Sequence, residues 1–287
     1  MVSADIYTIC QTVDGIIETE CRKVFNSKKT KNLERGIAFP CCISVNHVVG
    51  HYSPLADEST LLQEGDVAKI ICGAHIDGFA ANAAYTVVVG TAKVTGRKAD
   101  AVLAAHHAMG VAERMIKDGA TNAHVTEMMD KVCKEYNVNM VEGVLSHQVK
   151  KFCIDGNKSI ISKETATASV EEWMFAPGDV IGLDVYVSTG EGTPKQADSR
   201  TTVYKRELQN VYNLKINKSR QFFAEANKRF PSLPFALRAF EDQTGAKVGV
   251  RECVDHELMI PYPVLEEKVG DFVAHFKSTV CVLPKST

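Results

Sequence analysis

The stretch "EGDVAKIICGAHIDG" (residues 64–78) is echoed by "PGDVIGLDVYVSTGEG" (residues 177–192). Each carries Gly-Asp-Val into an apolar run and then a glycine turn. The offsets agree: Ile71 stands six residues after Gly65, and Asp184 six after Gly178. Gly-Asp-Val before a strand is common turn chemistry taken alone. Two similar halves would place Ile71 and Asp184 facing each other across a pseudo-twofold axis, which confines the chain to folds built as a pair.

The pattern around the echo is helix–strands–helices–strands–helices–strands. Ile6, Ile9, Val13, Ile16, Ile17 and Val24 recur at helical spacing and predict a helix over residues 4–25. "SKKTKNLERG" makes a basic turn, and "IAFPCCISVNHVVGHYSPL" reads as short strands broken by Pro40 and Pro54. "AVLAAHHAMGVAERMIKDGA" is a helix with Asp100 as N-cap and Gly119 as stop. A second helix, "TNAHVTEMMDKVCKEYN", starts near Thr121 or Asn122. Strands resume at 152–161 and 180–188, helices at "SRQFFAEANKRF" and "FALRAFED", and a final strand at "DFVAHFKSTVCVLP". That order is α+β with antiparallel pairing rather than alternating βαβ units.

With 287 residues, 45% hydrophobic and 24% charged, the chain can bury a core without disulfides. The formal charge of −2 means that any nucleic-acid contact must come from a local basic patch. Nine cysteines are scattered with no CxxC pair, which supports neither a zinc ribbon nor a thioredoxin-like site. In contexts such as "IICG" and "TVCVLP" they read as buried free thiols, in a reducing compartment. The acidic N-terminal stretch is not a signal peptide, and no run approaches the ~20 apolar residues of a membrane span. The expectation is an intracellular protein without a membrane partner.

"GIAFPCCISVNHVVGHYSPL", "GDVAKIICGAHIDGFAANAAYTVVVG", "EGVLSHQVKKFCIDGNKSI", "GDVIGLDVYVSTGEG" and "DFVAHFKSTVCVLP" occur in an order and spacing that resemble the type-2 methionine aminopeptidases. The resemblance runs from about residue 10 to the end. "GEGTPKQADSRTTVYKR", "SRQFFAEANKRFPSLPFALRAFED" and "HELMIPYPVLEEKVGDFVAHFKSTV" are similar in particular to the proliferation-associated, ErbB-receptor-binding branch. The resemblance implies a single pita-bread domain over 1–287: two pseudo-symmetric α+β halves, roughly 1–130 and 131–287, with antiparallel-rich sheets under helices and a helical insertion at about 192–245. It also implies further residues before the first helix and a basic tail after the last strand, where this chain stops at "CVLPKST". Partners that need such a tail, including receptor segments, are correspondingly less supported.

Active members hold two divalent metals with two Asp, one His and two Glu. Carried over residue by residue, those positions are Ile71, Asn82, His147, Asp184 and Lys277. Only His147 and Asp184 keep a ligand's chemistry. Ile71 has no donor, Asn82 has a neutral oxygen, and Lys277 places an ammonium where a bridging carboxylate stands. One carboxylate and one ammonium balance each other without metal, so Lys277 is expected to pair with Asp184, with Asn82 or His147 alongside. On the substrate side His51 is retained and the second His position is Asp155. The expectation is a pseudoenzyme with no metal and no other cofactor. His75 and Asp77 are turn residues without chemistry.

Function then falls to surfaces. Lys205, Arg206, Lys215, Lys218, Arg220, Lys228 and Arg229 interleave with Tyr204, Tyr212, Phe222 and Phe223. The stripe suits phosphate contacts with some stacking, or is a solvated helix face over core aromatics. Arg22, Lys23, Lys28, Lys29, Lys31 and Arg35 could extend it or serve as a nuclear-import signal. The branch is associated with ribosomes, pre-ribosomal RNA and other structured nucleic acid. The resemblance therefore implies a binding platform for ribosomes or structured RNA in growth and translation control, cytoplasmic with nuclear or nucleolar access, and with protein partners besides. The alternatives are peptide or nascent-chain N-terminus binding in the old pocket, and an active metalloaminopeptidase, which needs ligands the sequence lacks.

Overall fold

Asp5 starts the first helix by accepting from the Thr8 N–H at 2.8 Å, which satisfies one of the amides a helix leaves unpaired at its start. The computed structural model describes residues 2–284. Helix α1 (Ile6–Lys23) is followed by β1 (Arg35–Val45), β2 (Val48–Gly50), β3 (Val67–Ile76), β4 (Phe79–Val88), α2 (Arg97–Met115) and α3 (Asn122–Glu135). Then come β5 (Asn139–Met140), β6 (Leu145–Gln148), β7 (Ser159–Ile161), β8 (Val180–Ser188), β9 (Lys195–Gln196) and β10 (Val203–Arg206). The rest is α4 (Asn217–Arg229), β11 (Phe235–Ala236), α5 (Gln243–Asp255), β12 (Met259–Tyr262), β13 (Leu265–Glu266) and β14 (Val273–Cys281).

One antiparallel sheet runs β1-β3-β4-β14-β8-β6-β7, with β5 added at β8. Its first three strands come from the N-terminal half and the others from the C-terminal half. The seam is β4 against β14, where Lys277 registers with Ala84. Helix α2 covers β8 and β14, and α3 packs beside α2 over β5 and β7. The buried row Ala101, Ala104, Ala105, Ala108 and Ala112 lets α2 lie close to the sheet over Leu183, Val185 and Val187. Helix α1 lies on β1 and β3, with Ile6 and Cys10 packed against Cys41 and Ile43. Its Asp14 accepts from the Cys41 N–H at 2.8 Å and also pairs with buried Arg238.

Several expectations are corrected. Pro40 does not break β1; the strand runs through it with register shifts between Ile37 and Cys42, a bulge where a missing N–H is tolerated. Ile16 and Val24, placed on the apolar face of α1, are exposed. Helix α2 begins after Gly96, with Asp100 inside its first turn instead of capping it. Of 152–161 only Ser159–Ile161 is strand; the residues before it form turns, with Phe152 at φ +59°. "FALRAFED" is not a helix. Phe235 and Ala236 pair with β10, a short 3₁₀ turn follows, and the helix is α5, which Asp242 caps through the Gly245 N–H at 2.7 Å.

Strands β10, β11 and β12 with α4 and α5 enclose a core of their own around Phe222, Phe235, Phe240 and Val250. A Cβ on Gly249 would sit 2.6 Å from the Phe222 Cβ, so glycine permits the close crossing of α4 and α5. The unit ends at Tyr262, so the insertion boundary expected near 245 falls inside α5.

Thr121 caps α3, its hydroxyl accepting from the His124 N–H at 3.4 Å. That bond is long, and Thr121→Ala is expected to cost about 0.5–1 kcal/mol in urea unfolding, the lower part of the range for a lost N-cap. Among the described residues no helix is long and apolar enough to cross a membrane.

Candidate functional site

The twofold pattern in the sequence becomes one row across the sheet. Ile71 on β3 registers with Ala84 on β4, Ala84 with Lys277 on β14, and Lys277 with Asp184 on β8. Directly opposed side chains on one face of a sheet touch, so three of the five ligand positions share one line. All five, Ile71, Asn82, His147, Asp184 and Lys277, line a single cavity of about 350 Å³ together with His51 and Asp155.

Lys277 Nζ donates to Asp184 Oδ2. The other oxygen, Oδ1, accepts from His275 Nε2–H at 2.5 Å. His275 was not among the residues singled out from the sequence, and neither Asn82 nor His147 takes the place foreseen for it beside the pair. The signal was present in "AHFKST": His275 and Lys277 are two apart on a strand and must share a face. The His275 ring stacks on Tyr186 at 3.7 Å between centroids and is buried. Burial lowers its pKa against the pull of Asp184, so the ring is neutral and Nε2 carries the proton. Burial would raise Asp184, but Lys277 and His275 outweigh it and hold the carboxyl far below the usual range.

The remaining donors are spread out. Asn82 lies over Gly73, where a Cβ would collide with its amide, and its buried Oδ1 has no partner among the described residues. His147 commits Nδ1–H to the Gly156 carbonyl at 3.2 Å, and His51 commits its own to Pro263 at 3.0 Å. Burial keeps His51 below the ordinary histidine range. Asp155 pairs with Lys205. The site does not fit a pair of divalent cations: both oxygens of its one carboxylate at the ligand positions are occupied by protons on nitrogen, and the other positions offer no negative charge. Among the described residues no group of three or more His, Cys, Asp and Glu side chains could hold a metal.

The basic stripe divides. Lys215, Lys218, Arg220, Lys228 and Arg229 are exposed on or just before α4. Lys218 pairs with Asp242 at 3.1 Å, Arg229 with Glu225 at 2.7 Å, and Arg220 donates to the carbonyls of Leu214 and Lys215. Lys205 and Arg206 leave the stripe. Lys205 turns inward to Asp155, and Arg206 packs over the Phe223 ring at 5.7 Å. Tyr204 and Phe222 are buried, and Tyr212 stacks on His256 at 3.6 Å, so these aromatics are packing residues and not a stacking platform for bases.

The two basic clusters do meet. Arg35, which ties down the 24–30 loop through the carbonyls of Val24 and Thr30, lines one cleft with Lys228 and Arg229. Lys28, Lys29 and Lys31 stand exposed on that loop, while Arg22 and Lys23 pair with Glu18 and Glu20 on α1. His75 lines the same cleft, and its Nδ1 accepts from the Gly78 N–H at 3.2 Å; Asp77 pairs with Lys151 at 2.7 Å. Both close the β3–β4 hairpin away from the cavity.

Two halves sharing an antiparallel sheet, helices on one face and a cavity on the other, define the pita-bread fold. Methionine aminopeptidases share it: the solved enzyme of Rickettsia prowazekii superposes with a TM-score of 0.62 at 13% identity, over 98% of this chain and 84% of that one. The chain belongs to metallopeptidase family M24, whose profile matches residues 3–204, and within it to the branch of proliferation-associated and ErbB-3-binding proteins. ERBB-3 binding protein 1 of Solanum tuberosum is 45% identical over 99% of this chain and 73% of its own length. Proliferation-associated protein A of Dictyostelium discoideum is 44% identical over 99% and 74%. A thermophilic Arx1 superposes with a TM-score of 0.90 at 30% identity, over 99% of this chain and 82% of that one.

Proposed function

We propose that this chain is a non-catalytic member of the family that serves as a platform for structured RNA, ribosomal RNA first. The observation that carries the reading is the meeting of two basic clusters, far apart in sequence, at one cleft: Arg35 from the first and Lys228 and Arg229 from the second, with Lys28, Lys29 and Lys31 exposed on the loop that leads into β1 and Lys215 exposed just before α4. On a chain of net charge −2, that grouping is local, as a phosphate-tracking surface needs. A relative 39% identical over 99% of this chain, from Schizosaccharomyces pombe, is named for binding curved DNA, which supports a nucleic-acid partner. The lack of catalysis rests on Lys277 and His275 holding Asp184.

The test is co-sedimentation with purified large ribosomal subunits across a salt titration. Binding is expected to weaken steeply with salt. Lys228→Glu with Arg229→Glu is expected to reduce the slope of log K against log salt by about 0.7 for each phosphate that the variant no longer neutralises on single-stranded segments. With Tyr204 and Phe222 buried, and Tyr212 and Phe223 already packed against His256 and Arg206, little preference among base compositions is expected. Lack of binding at low salt, or a slope unchanged in the double variant, overturns the reading. Manganese- or cobalt-dependent release of N-terminal Met from a peptide overturns the non-catalytic half.

A further inference from the structure

The pseudo-twofold leaves one half of the sheet with a helix fewer than the other. In the C-terminal half α2 lies over β8 and β14 and buries Leu183, Val185 and Val187 with Ala274 and Phe276. The Gly-Asp-Val echo pairs Ile71 with Asp184, and so pairs Ile70, Cys72 and Ala74 with the first three. Ile71 registers with Ala84 as Asp184 does with Lys277, which pairs Ala81 and Ala83 with the other two. Alternation along β3 and β4 turns these five residues away from the cavity, onto the face that carries the helices. Helix α1, over β1 and β3, is the counterpart of α3, and no element among the described residues stands where α2 stands in the other half. Ala81 and Ala83 are exposed as a result, Tyr85 beside them is 59% exposed, and Ile70, Cys72 and Ala74 are only part-buried. Walls flank this floor. Ile9 and Val13 of α1 pack along β3, with Ile16 of the same stripe exposed, and on the α2 side His106 packs with Tyr85 on the Phe276 ring.

We propose that this trough is the docking site for an amphipathic helix of a partner polypeptide, lying on β3 and β4 as α2 lies on β8 and β14 and inserting large apolar side chains. The floor specifies the occupant. Under α2 the floor is large, and the helix presents a row of alanines to it. In the open half the floor residues are no larger than their counterparts, with Ala83 in the place of Phe276 and Ala74 in that of Val187. Leu, Met or Phe at i, i+4, i+7 and i+11 of the occupant fill that depth. A second copy has no such helix to offer, because the five α-helices among the described residues pack their apolar faces within their own chain. The trough lies on the opposite face of the sheet from the cavity and shares no residue with the basic cleft, so this inference and the RNA reading can fail independently.

Three fluorescently labelled synthetic peptides, each 19 residues like α2, test it by anisotropy against the full chain. The first is built of Ala, Glu and Lys with Leu at four positions on one helical face. The second has Ala at those four positions, and the third has the composition of the first with its leucines spread around the helix. The first is expected to bind with a Kd below about 100 µM and at least about tenfold tighter than either control, because only its leucines leave water together. Ala83→Glu and Ala81→Glu are each expected to weaken it at least about tenfold, by placing a carboxylate in an apolar contact. Both alanines are exposed, so both variants should fold like the wild type, which circular dichroism checks. A Kd above about 100 µM for the first peptide, equal binding of a control, or an affinity unchanged in both variants overturns the proposal. So does self-association of the chain that Ala83→Glu abolishes, which would give the face to a second copy.

Discussion

Lys277→Met is expected to destabilise the protein by about 3–5 kcal/mol, the cost of leaving one partner of a buried ion pair uncompensated. The lysine is part-buried and Asp184 is 8% exposed. With the ammonium gone, Asp184 keeps a single bond from a neutral His275, too little to offset its own desolvation. The sign with pH follows from Asp184. In the wild type its folded pKa is depressed, so its contribution is present above the unfolded value near 4 and is lost as pH falls further. In Lys277→Met the burial that opposes this depression goes unanswered and the folded pKa rises above the unfolded one. The variant's deficit should therefore shrink in acid, where Asp184 protonates. Urea unfolding at pH 7 and pH 4 reads both effects. Adding Asp184→Leu to Lys277→Met should recover much of the loss, because a buried pair replaced by apolar side chains is often neutral or stabilising. A single variant as stable as the wild type at pH 7 would mean that the pair contributes nothing, and the account of a site balanced without metal would fall.

What the sequence made legible were features fixed by local chemistry or by a shared family pattern. The two Gly-Asp-Val entries do lead into β3 and β8, and Thr121 does cap α3. The seven positions carried over to the old centre do line one cavity, because strand register is set by the sheet as a whole and survives loss of the ligands. Tertiary context decided the rest. "FALRAFED" reads as a helix, yet the Arg238 guanidinium is buried against Asp14, Ser53 and Cys41, and the chain around it makes only a single 3₁₀ turn. Lys205 reads as a surface cation until β10 turns it toward Asp155. The aromatics between the basic residues have the spacing of a stacking stripe and of a core alike. Only the closing of α4 on α5 distinguishes the two.

The same contrast makes Lys69 the site of the largest stabilising substitution. It stands two residues before Ile71 on β3, is 2% exposed, and donates to the carbonyls of Asn46 and Val67 at 2.9 and 3.4 Å. Among the described residues no carboxylate pairs with it; burial lowers its pKa to about 7, with Asp66 countering only in part. An unfolded lysine titrates near 10.4, so between about 7 and 10 the unfolded chain binds a proton that the folded chain does not. Stability from this group is therefore complete above the unfolded value and is lost as pH falls toward 7. Lys69→Met keeps the volume and removes the titration. It should be more stable than the wild type by about 2–4 kcal/mol at pH 7, the linkage term less the hydrogen bonds given up. The advantage should shrink toward zero by about pH 10. Comparing variant with wild type at each pH matters, because buried Tyr186 and Tyr262, whose pKa values are raised by burial, pull stability the other way in alkali in both proteins. A difference between the two that stays flat across that range would mean that Lys69 keeps its proton when folded, held by its two carbonyls alone.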